Sequence, residues 1–168
     1  VGSLQILFTL SILTIAGFKH LKQIPRPQWR WIVVSGFLGT FFPNYLFAFA
    51  ETKIDSAIAA VLNGLTPLFT LLFGFFLFGI ALKRKKLMGV FVGLIGTFIL
   101  VLKQIQNTGF ENSLYLLLVV ISAICYAANV NIIKYRLQGI SSLGIALGNF
   151  IAIAPPALII AFNSGFFD

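Results

Sequence analysis

The stretch SAIAAVLNGLTPLFTLLFGFFLFGIAL, Ser56–Leu82, decides the fold of this chain. It contains no charged residue, and the basic run Lys83–Lys86 follows it directly. A helix needs about 20 apolar residues to cross the hydrocarbon core of a bilayer. The stretch therefore predicts a membrane-spanning helix over Ala57–Leu82, with a basic stop at one end.

Polar residues inside this stretch share one face of the predicted helix. Thr66, Pro67 and Thr70 lie three, four and seven residues after Asn63, which places all four on one helical face. The surrounding residues are mostly apolar, so this face is predicted to look into a protein interior or a watery cavity. Pro67 has no N–H to offer the carbonyl of Asn63. In a membrane that carbonyl needs another partner or a wet cavity.

The composition of the whole chain agrees with a membrane location. Of its 168 residues, 59% are hydrophobic and 10% are charged, and the mean hydropathy is +1.01. A soluble domain of this size could not bury so much apolar surface, so the predicted class is an all-α polytopic membrane protein. The single cysteine, Cys125, excludes a disulfide framework and a Cys/His metal set, and no cofactor is expected. Because the chain begins at Val1 within an apolar segment, we expect it to be a piece of a longer protein.

Six apolar segments are predicted to cross the bilayer, at about residues 3–18, 31–50, 57–82, 87–102, 113–133 and 143–162. The connections on one side carry ten basic residues and no acid, whereas the other side carries two basic residues and all four acids. Basic loops stay in the cytoplasm. Loops 19–30, 83–86 and 134–142 are therefore predicted to be cytoplasmic, in the plasma or inner membrane of a cell. The net charge of +8 does not indicate a nucleic-acid partner, because the basic runs lie between spans.

Two aromatic and basic features lie at the cytoplasmic edge. Trp29 and Trp31 flank the second span, and we interpret them as interfacial anchors, with a stacking platform for a ligand as the alternative. The run Lys83–Lys86 is interpreted as a topology signal, with binding of anionic lipid as its alternative.

Polar side chains recur inside three predicted spans. Their ordinary role is hydrogen bonding between helices, and their functional role would be to line a substrate cavity. No Asp, Glu, Lys or Arg lies at mid-depth, so no proton relay is visible, and an intramembrane enzyme is not expected. The candidate cavity residues are Asn44, Asn63, Thr66, Thr70, Tyr126 and Asn129, and the predicted helix kinks are Pro43, Pro67 and Pro155.

Two G-x-x-x-G patterns, Gly89–Gly93 and Gly144–Gly148, indicate close helix packing. Whether they pack within the chain or between copies in a homo-oligomer is left open by the pattern.

The core Ala48–Leu102 resembles the drug/metabolite transporter superfamily, in particular its EamA-type permeases. The resemblance is carried by small residues, then an Asn/Leu-rich turn, then Thr-Pro-Leu and two spaced glycines, here Ser56, Ala57, Ala59, Ala60, Leu62, Asn63, Leu65, Thr66, Pro67, Leu68, Thr70, Gly89 and Gly96. Ile80 stands where members often carry a glutamate.

The resemblance implies ten helices in two inverted five-helix repeats. Residues 1–106 would hold most of the first repeat and residues 107–168 the start of the second, so the chain would contain helices two to seven. It further implies a permease in the lipid bilayer that exports a small metabolite or drug-like molecule by alternating access. A lipid-linked carrier flippase and a non-transporting membrane subunit remain the alternatives.

Overall fold

The computed structural model of the protein describes residues 6, 8–11, 19–21, 24–79, 84–108 and 113–163. Within these ranges the secondary structure is helical, without strands. A short 3₁₀ turn, Arg26–Gln28, precedes the first long helix, and a π-helical turn, Phe37–Phe41, interrupts it. The α-helices are α1 Trp29–Gly36, α2 Phe42–Ala50, α3 Ser56–Asn63, α4 Thr66–Phe78, α5 Arg84–Thr108, α6 Ser113–Arg136 and α7 Ser142–Asn163.

Four helical segments of the described part are long and apolar enough to cross a membrane: Arg26–Ala50, Ser56–Phe78, Ser113–Arg136 and Ser142–Phe162. They correspond to the second, third, fifth and sixth predicted spans, so the described part of the chain has the helices of a polytopic membrane protein. The fourth predicted span lies in α5, where the apolar stretch Met88–Ile99 is shorter than 18 residues. The first, residues 3–18, lies mostly outside the described residues, and the count of six stays a prediction.

The third span is built from two helices rather than one. The carboxylate of Asp55 accepts a hydrogen bond from the backbone N–H of Ala57 at 2.7 Å and so caps the start of α3. α3 ends at Asn63, and α4 begins at Thr66, three residues later. Pro67 lies in the first turn of α4, where a backbone N–H would have no partner within the helix. α4 ends before Gly79, so the helix is shorter than the predicted stretch to Leu82.

The three predicted kink positions differ in local structure. Pro43 directly follows the π-helical turn and the first residue of α2. Pro67 follows the break between α3 and α4. Pro155 lies inside α7, which continues as α-helix on both sides of it. A proline in a helix removes one backbone hydrogen bond, and a wider turn or a break is one way to accommodate that loss.

The chain forms two compact units, residues 1–41 with 132–168, and residues 42–131. In the first unit α1 and α7 pack at glycines. A Cβ atom added to Gly36 would lie 2.9 Å from the backbone oxygen of Asn149, and one added to Gly148 would lie 2.7 Å from Cγ2 of Ile32. The second glycine of the Gly144–Gly148 pattern therefore serves a contact within the chain.

A buried polar pair joins the same two helices. With its amide oxygen turned to the hydroxyl of Ser35, Asn149 accepts a hydrogen bond at 3.1 Å and donates to the carbonyls of Ile32 at 2.9 Å and Ile145 at 3.2 Å. Ser35 is fully buried and Asn149 is 8% exposed. This arrangement is the ordinary, inter-helix role of a polar residue in a membrane.

The second unit has two apolar clusters. In the first cluster α6 contributes Leu116 and Val119, which pack with residues that precede and form α3, namely Ala50, Ile54, Ala59 and Leu62. The second cluster holds Leu65, Leu68, Val90 and Ala123. Both clusters lie against α6, so the broken span packs on this helix above and below its break.

Candidate functional site

A continuous set of hydrogen bonds follows the break in the third span. The hydroxyl of Thr66 donates to Oδ1 of Asn63 at 3.1 Å, and the hydroxyl of Thr70 donates to the carbonyl of Thr66 at 2.8 Å. Nδ2 of Asn131, on α6, donates to the carbonyl of Thr70 at 3.0 Å and to that of Ala127 at 2.9 Å. We call Asn63, Thr66, Thr70 and Asn131 the polar string.

Local sequence explains why the string forms at this place. Threonine readily bonds the carbonyl one turn back, which Thr70 does. Gly64 and Leu65 keep right-handed helical torsion angles, with φ of −58° and −72°. The rotation per residue is therefore close to that of a helix, and Thr66 still falls over Asn63. Among the described residues, Nδ2 of Asn63 has no hydrogen-bond acceptor, so this amide keeps donors to offer.

A groove of about 460 Å³ opens beside the string. Both string threonines line it, together with two apolar residues of α4 and one of α6; its lining is Thr66, Pro67, Thr70, Leu71 and Val130. We call it the threonine groove. Apolar walls with a few placed polar groups are typical of small-molecule sites, whose volumes run from about 300 to about 1,000 Å³. A hydroxyl that donates can still accept, so the two threonines retain acceptor capacity.

A second groove of about 390 Å³ lies against α5. It shares Pro67 and Leu71 with the threonine groove, and its other walls include Gly64, Gly89 and Thr97. We call it the glycine groove. No described atom lies within 4 Å of a Cβ added to Gly89, so this part of the wall is open. The lining of both grooves is mainly apolar, and the glycine groove exposes the larger polar share.

Asn44 and Tyr126, also predicted to line a cavity, lie apart from the string. The ring of Tyr126 packs at 6.5 Å, centroid to centroid, on the ring of Phe47. Asn44 precedes Phe47 by one helical turn in α2, and its side chain has no hydrogen-bond partner among the described residues. Both residues are half-buried, so each leaves part of its polar side chain accessible.

Asn129, the last predicted residue, is half-buried on α6, and its neighbour Val130 supplies the α6 wall of the threonine groove. The structure thus brings Asn63, Thr66 and Thr70 together and leaves the other three predicted residues outside this group.

The sequence analysis missed Asn131, which is only 3% exposed and whose hydrogen bond links the string on α4 to another helix. The candidates predicted in this helix were Tyr126 and Asn129, which lie three residues apart on one face. Asn131 follows Asn129 by two residues, which is about 200° around a helix, and therefore lies outside that face. The one signal for Asn131 in the sequence was its residue type, because a carboxamide side chain stands out in an apolar span.

The site contains no ionisable side chain. The string and the threonine groove offer hydroxyls, carboxamides, backbone carbonyls and apolar surface. Nor do three His, Cys, Asp or Glu side chains of the described residues lie close enough to share a metal ion. The chemistry available at this site is therefore hydrogen bonding and apolar contact with an uncharged part of a bound molecule.

Comparison with known proteins gives one match. Residues 1–102 match the family described as the EamA-like transporter family. The matched part covers the broken span, with Asn44, Asn63, Thr66 and Thr70, and ends before α6. No curated protein and no solved structure matches the chain significantly.

Proposed function

We propose, because this chain belongs to the EamA-like transporter family, that it carries a small polar molecule across a lipid bilayer and binds it in the threonine groove. Family membership confirms the resemblance found in the core Ala48–Leu102. The family is one of membrane transporters and not of enzymes, so the protein is a membrane transporter by family.

The observation that supports the site is the break in the third span. Transporters commonly place their substrate where a membrane helix is discontinuous, because backbone polar groups are freed there without a nearby charge. A non-regular backbone at membrane depth is tolerated only inside protein or beside a cavity. Here the break between Asn63 and Thr66 lies beside a mainly apolar groove that Thr66 and Thr70 line.

The cargo proposed for this site is uncharged at the end that enters the groove. The free donors of Asn63 would bind an oxygen of the molecule, and the threonine hydroxyls would accept from an N–H or O–H group. Tyr126 and Asn44 would contact it later on its path, with the tyrosine ring as an apolar face.

The proposed transport is export by alternating access, in a plasma or inner membrane, with loops 19–30, 83–86 and 134–142 on the cytoplasmic side. The basis for this orientation is the distribution of basic residues.

The glycine groove favours a second candidate function, that of a lipid-linked carrier flippase. A mainly apolar groove that is open along α5 could hold a lipid chain while a polar head crosses. Under this alternative the substituted residues that stop transport would line the glycine groove rather than the threonine groove.

The deciding experiment uses cells that overproduce the protein on a panel of toxic amino acids, nucleobases and drugs. Resistance to one class would identify the cargo class and the export direction. Asn63→Leu and Thr66→Val are then expected to lower transport by about tenfold, the effect of a lost hydrogen bond of about 1.4 kcal/mol.

Thr97→Val is the matched control, because its hydroxyl bonds the carbonyl of Gly93 at 2.9 Å on the wall of the other groove. Transport at the wild-type rate by both site variants, with equal amounts of protein in the membrane, would exclude the threonine groove. Loss only in Thr97→Val would favour the flippase function, and no movement of any panel member would favour a non-transporting subunit.

A further inference from the structure

Two arginines share one tryptophan ring in the first compact unit. The guanidinium carbon of Arg136 lies 4.9 Å from the centroid of a Trp31 ring, and that of Arg30 lies 5.5 Å from it. Both are within the distance of about 6 Å at which a cation is attracted to an aromatic face. The two guanidinium carbons therefore lie no further apart than the sum of these two distances. We call Arg30, Trp31 and Arg136 the arginine clamp.

The described residues of the first compact unit include no Asp or Glu. Residues 1–41 and 132–163 contain six Lys and Arg residues and no Asp or Glu. Within these ranges an arginine of the clamp has no carboxylate to pair with. The side chains of Arg30 and Arg136 are both exposed, and a guanidinium stacked on a ring keeps the N–H donors of its edge free. Two exposed guanidiniums beside one ring offer several N–H donors to an anion with several oxygens.

The base beneath the clamp is ordered by apolar packing. Ile24, Ile32, Leu137 and Ile145 form a buried cluster, and Trp31 packs against it. The hydroxyl of Ser141 lies 3.2 Å from Nδ1 of His20, which joins the segment before α1 to the turn before α7. The clamp residues thus come from two sequence segments, and the buried apolar cluster beneath them holds the segments together.

The position of the clamp identifies its partner. Trp31 lies in the first turn of a membrane span and Arg136 is the last residue of another. Both therefore lie at the depth of the phospholipid headgroups, where tryptophan and arginine are common in membrane proteins. Basic groups at this depth attract anionic lipids.

We propose that the arginine clamp is a binding site for the phosphate of an anionic phospholipid headgroup. The guanidinium of one arginine bonds oxygens of the phosphodiester, and the second, held beside the same ring, adds positive charge next to it. The site is separate from the threonine groove and does not depend on the proposed transport function.

The test measures lipid retention by the purified protein with native mass spectrometry, in vesicle-derived samples of phosphatidylglycerol, of phosphatidylcholine, or of both. Wild type should retain phosphatidylglycerol in preference. Arg30→Gln with Arg136→Gln should lower the affinity for it by about tenfold or more, since the double variant loses the charge-assisted hydrogen bonds to the phosphate. Trp31→Leu, which keeps both charges, should lower it by about threefold.

The matched control is Arg84→Gln with Lys85→Gln, which removes two exposed positive charges from the start of α5. Its retention of phosphatidylglycerol should stay within twofold of wild type. An equal loss in the control and the clamp variant would reduce the effect to net charge and overturn the proposal, as would undiminished retention by the clamp variant.

Inorganic phosphate at millimolar concentration separates the two sources of the anion. Displacement of phosphatidylglycerol by free phosphate would make the clamp an ion site and contradict a lipid site. If Trp31→Leu does not yield folded protein, the arginine pair and its control still decide the matter, because all four substituted side chains are exposed.

Discussion

Nδ2 of Asn131 donates to the backbone carbonyl of Thr70 across 3.0 Å, and this hydrogen bond ties α6 to α4 just beyond the break in the third span. The same nitrogen also bonds the carbonyl of Ala127, so one buried carboxamide holds both helices. The polar string is therefore part of the packing of the second unit as well as a wall of its groove.

Asn131→Leu should destabilise the protein by about 0.6–2 kcal/mol, the range for a hydrogen bond between membrane helices. The measurement is unfolding in mild detergent, followed by circular dichroism. Gln138→Leu is the control, because its exposed amide bonds only the nearby carbonyl of Lys134, at 2.8 Å, and its loss should change stability by less than about 0.5 kcal/mol. Equal stability of Asn131→Leu and wild type would show that the bond adds nothing to packing.

Gly36→Ala should destabilise the first unit by about 1–3 kcal/mol, because the new Cβ would lie 2.9 Å from a backbone oxygen of α7 that cannot rotate away. Gly89→Ala is the matched change on α5, where no described atom lies within 4 Å of the added Cβ. It should leave stability unchanged or raise it by up to about 1 kcal/mol, the helix preference of alanine over glycine. The same unfolding measurement compares the two variants, and an equal cost at both positions would refute the close packing of α1 on α7.

Pro67→Ala should join α3 and α4 into one regular helix, because the new N–H can bond the carbonyl of Asn63. Spin labels at positions 56 and 76 in a Cys125→Ser background report the change. Their distance should move toward about 30 Å, the rise of 20 helical residues, while transport falls. Pro27→Ala, in the exposed 3₁₀ turn, serves as control and should change neither. An unaltered distance in Pro67→Ala would show that packing, and not the proline, makes the break.

Single cysteines should report the orientation of the chain. Thr52→Cys and Lys85→Cys, both at exposed positions, are placed in the Cys125→Ser background and treated with a membrane-impermeant maleimide. Position 52 should react in intact cells, whereas position 85 should react only after permeabilisation, because basic connections stay in the cytoplasm. The reverse pattern would invert the proposed transport direction along with the topology.

The sequence could predict where the helices lie because a membrane span must be long and apolar, and this property needs no partner. It placed four spans that the structure contains. It could not place the end of α4, since hydropathy continues through Gly79 and on to Leu82 while the backbone turns at Gly79. It also treated the third span as one helix. The helical spacing of Asn63, Thr66 and Thr70 nevertheless held, because Gly64 and Leu65 keep nearly helical torsion angles.

Contacts between helices were beyond the sequence pattern. Which glycine is covered depends on the register of two helices, so Gly148 meets Ile32 closely while Gly89 meets no described atom. The same reason explains why Asn131 was missed and why the predicted cavity residues did not all come together. The polar face of each helix was predicted from the periodicity of that helix alone. Periodicity does not tell which neighbouring helix that face contacts.

The turn at Gly79 has a consequence for what the chain can tolerate. Its φ is +62°, and that of Gly139 is +83°, yet no described atom lies within 4 Å of a Cβ added at either position. Space for a side chain therefore does not limit substitution at these two turns. The backbone conformation does, because it costs an L-amino acid about 1–2 kcal/mol. A D-alanine introduced by chemical synthesis would be accommodated where its mirror image is not, so the turn at each of these two positions depends on an achiral residue.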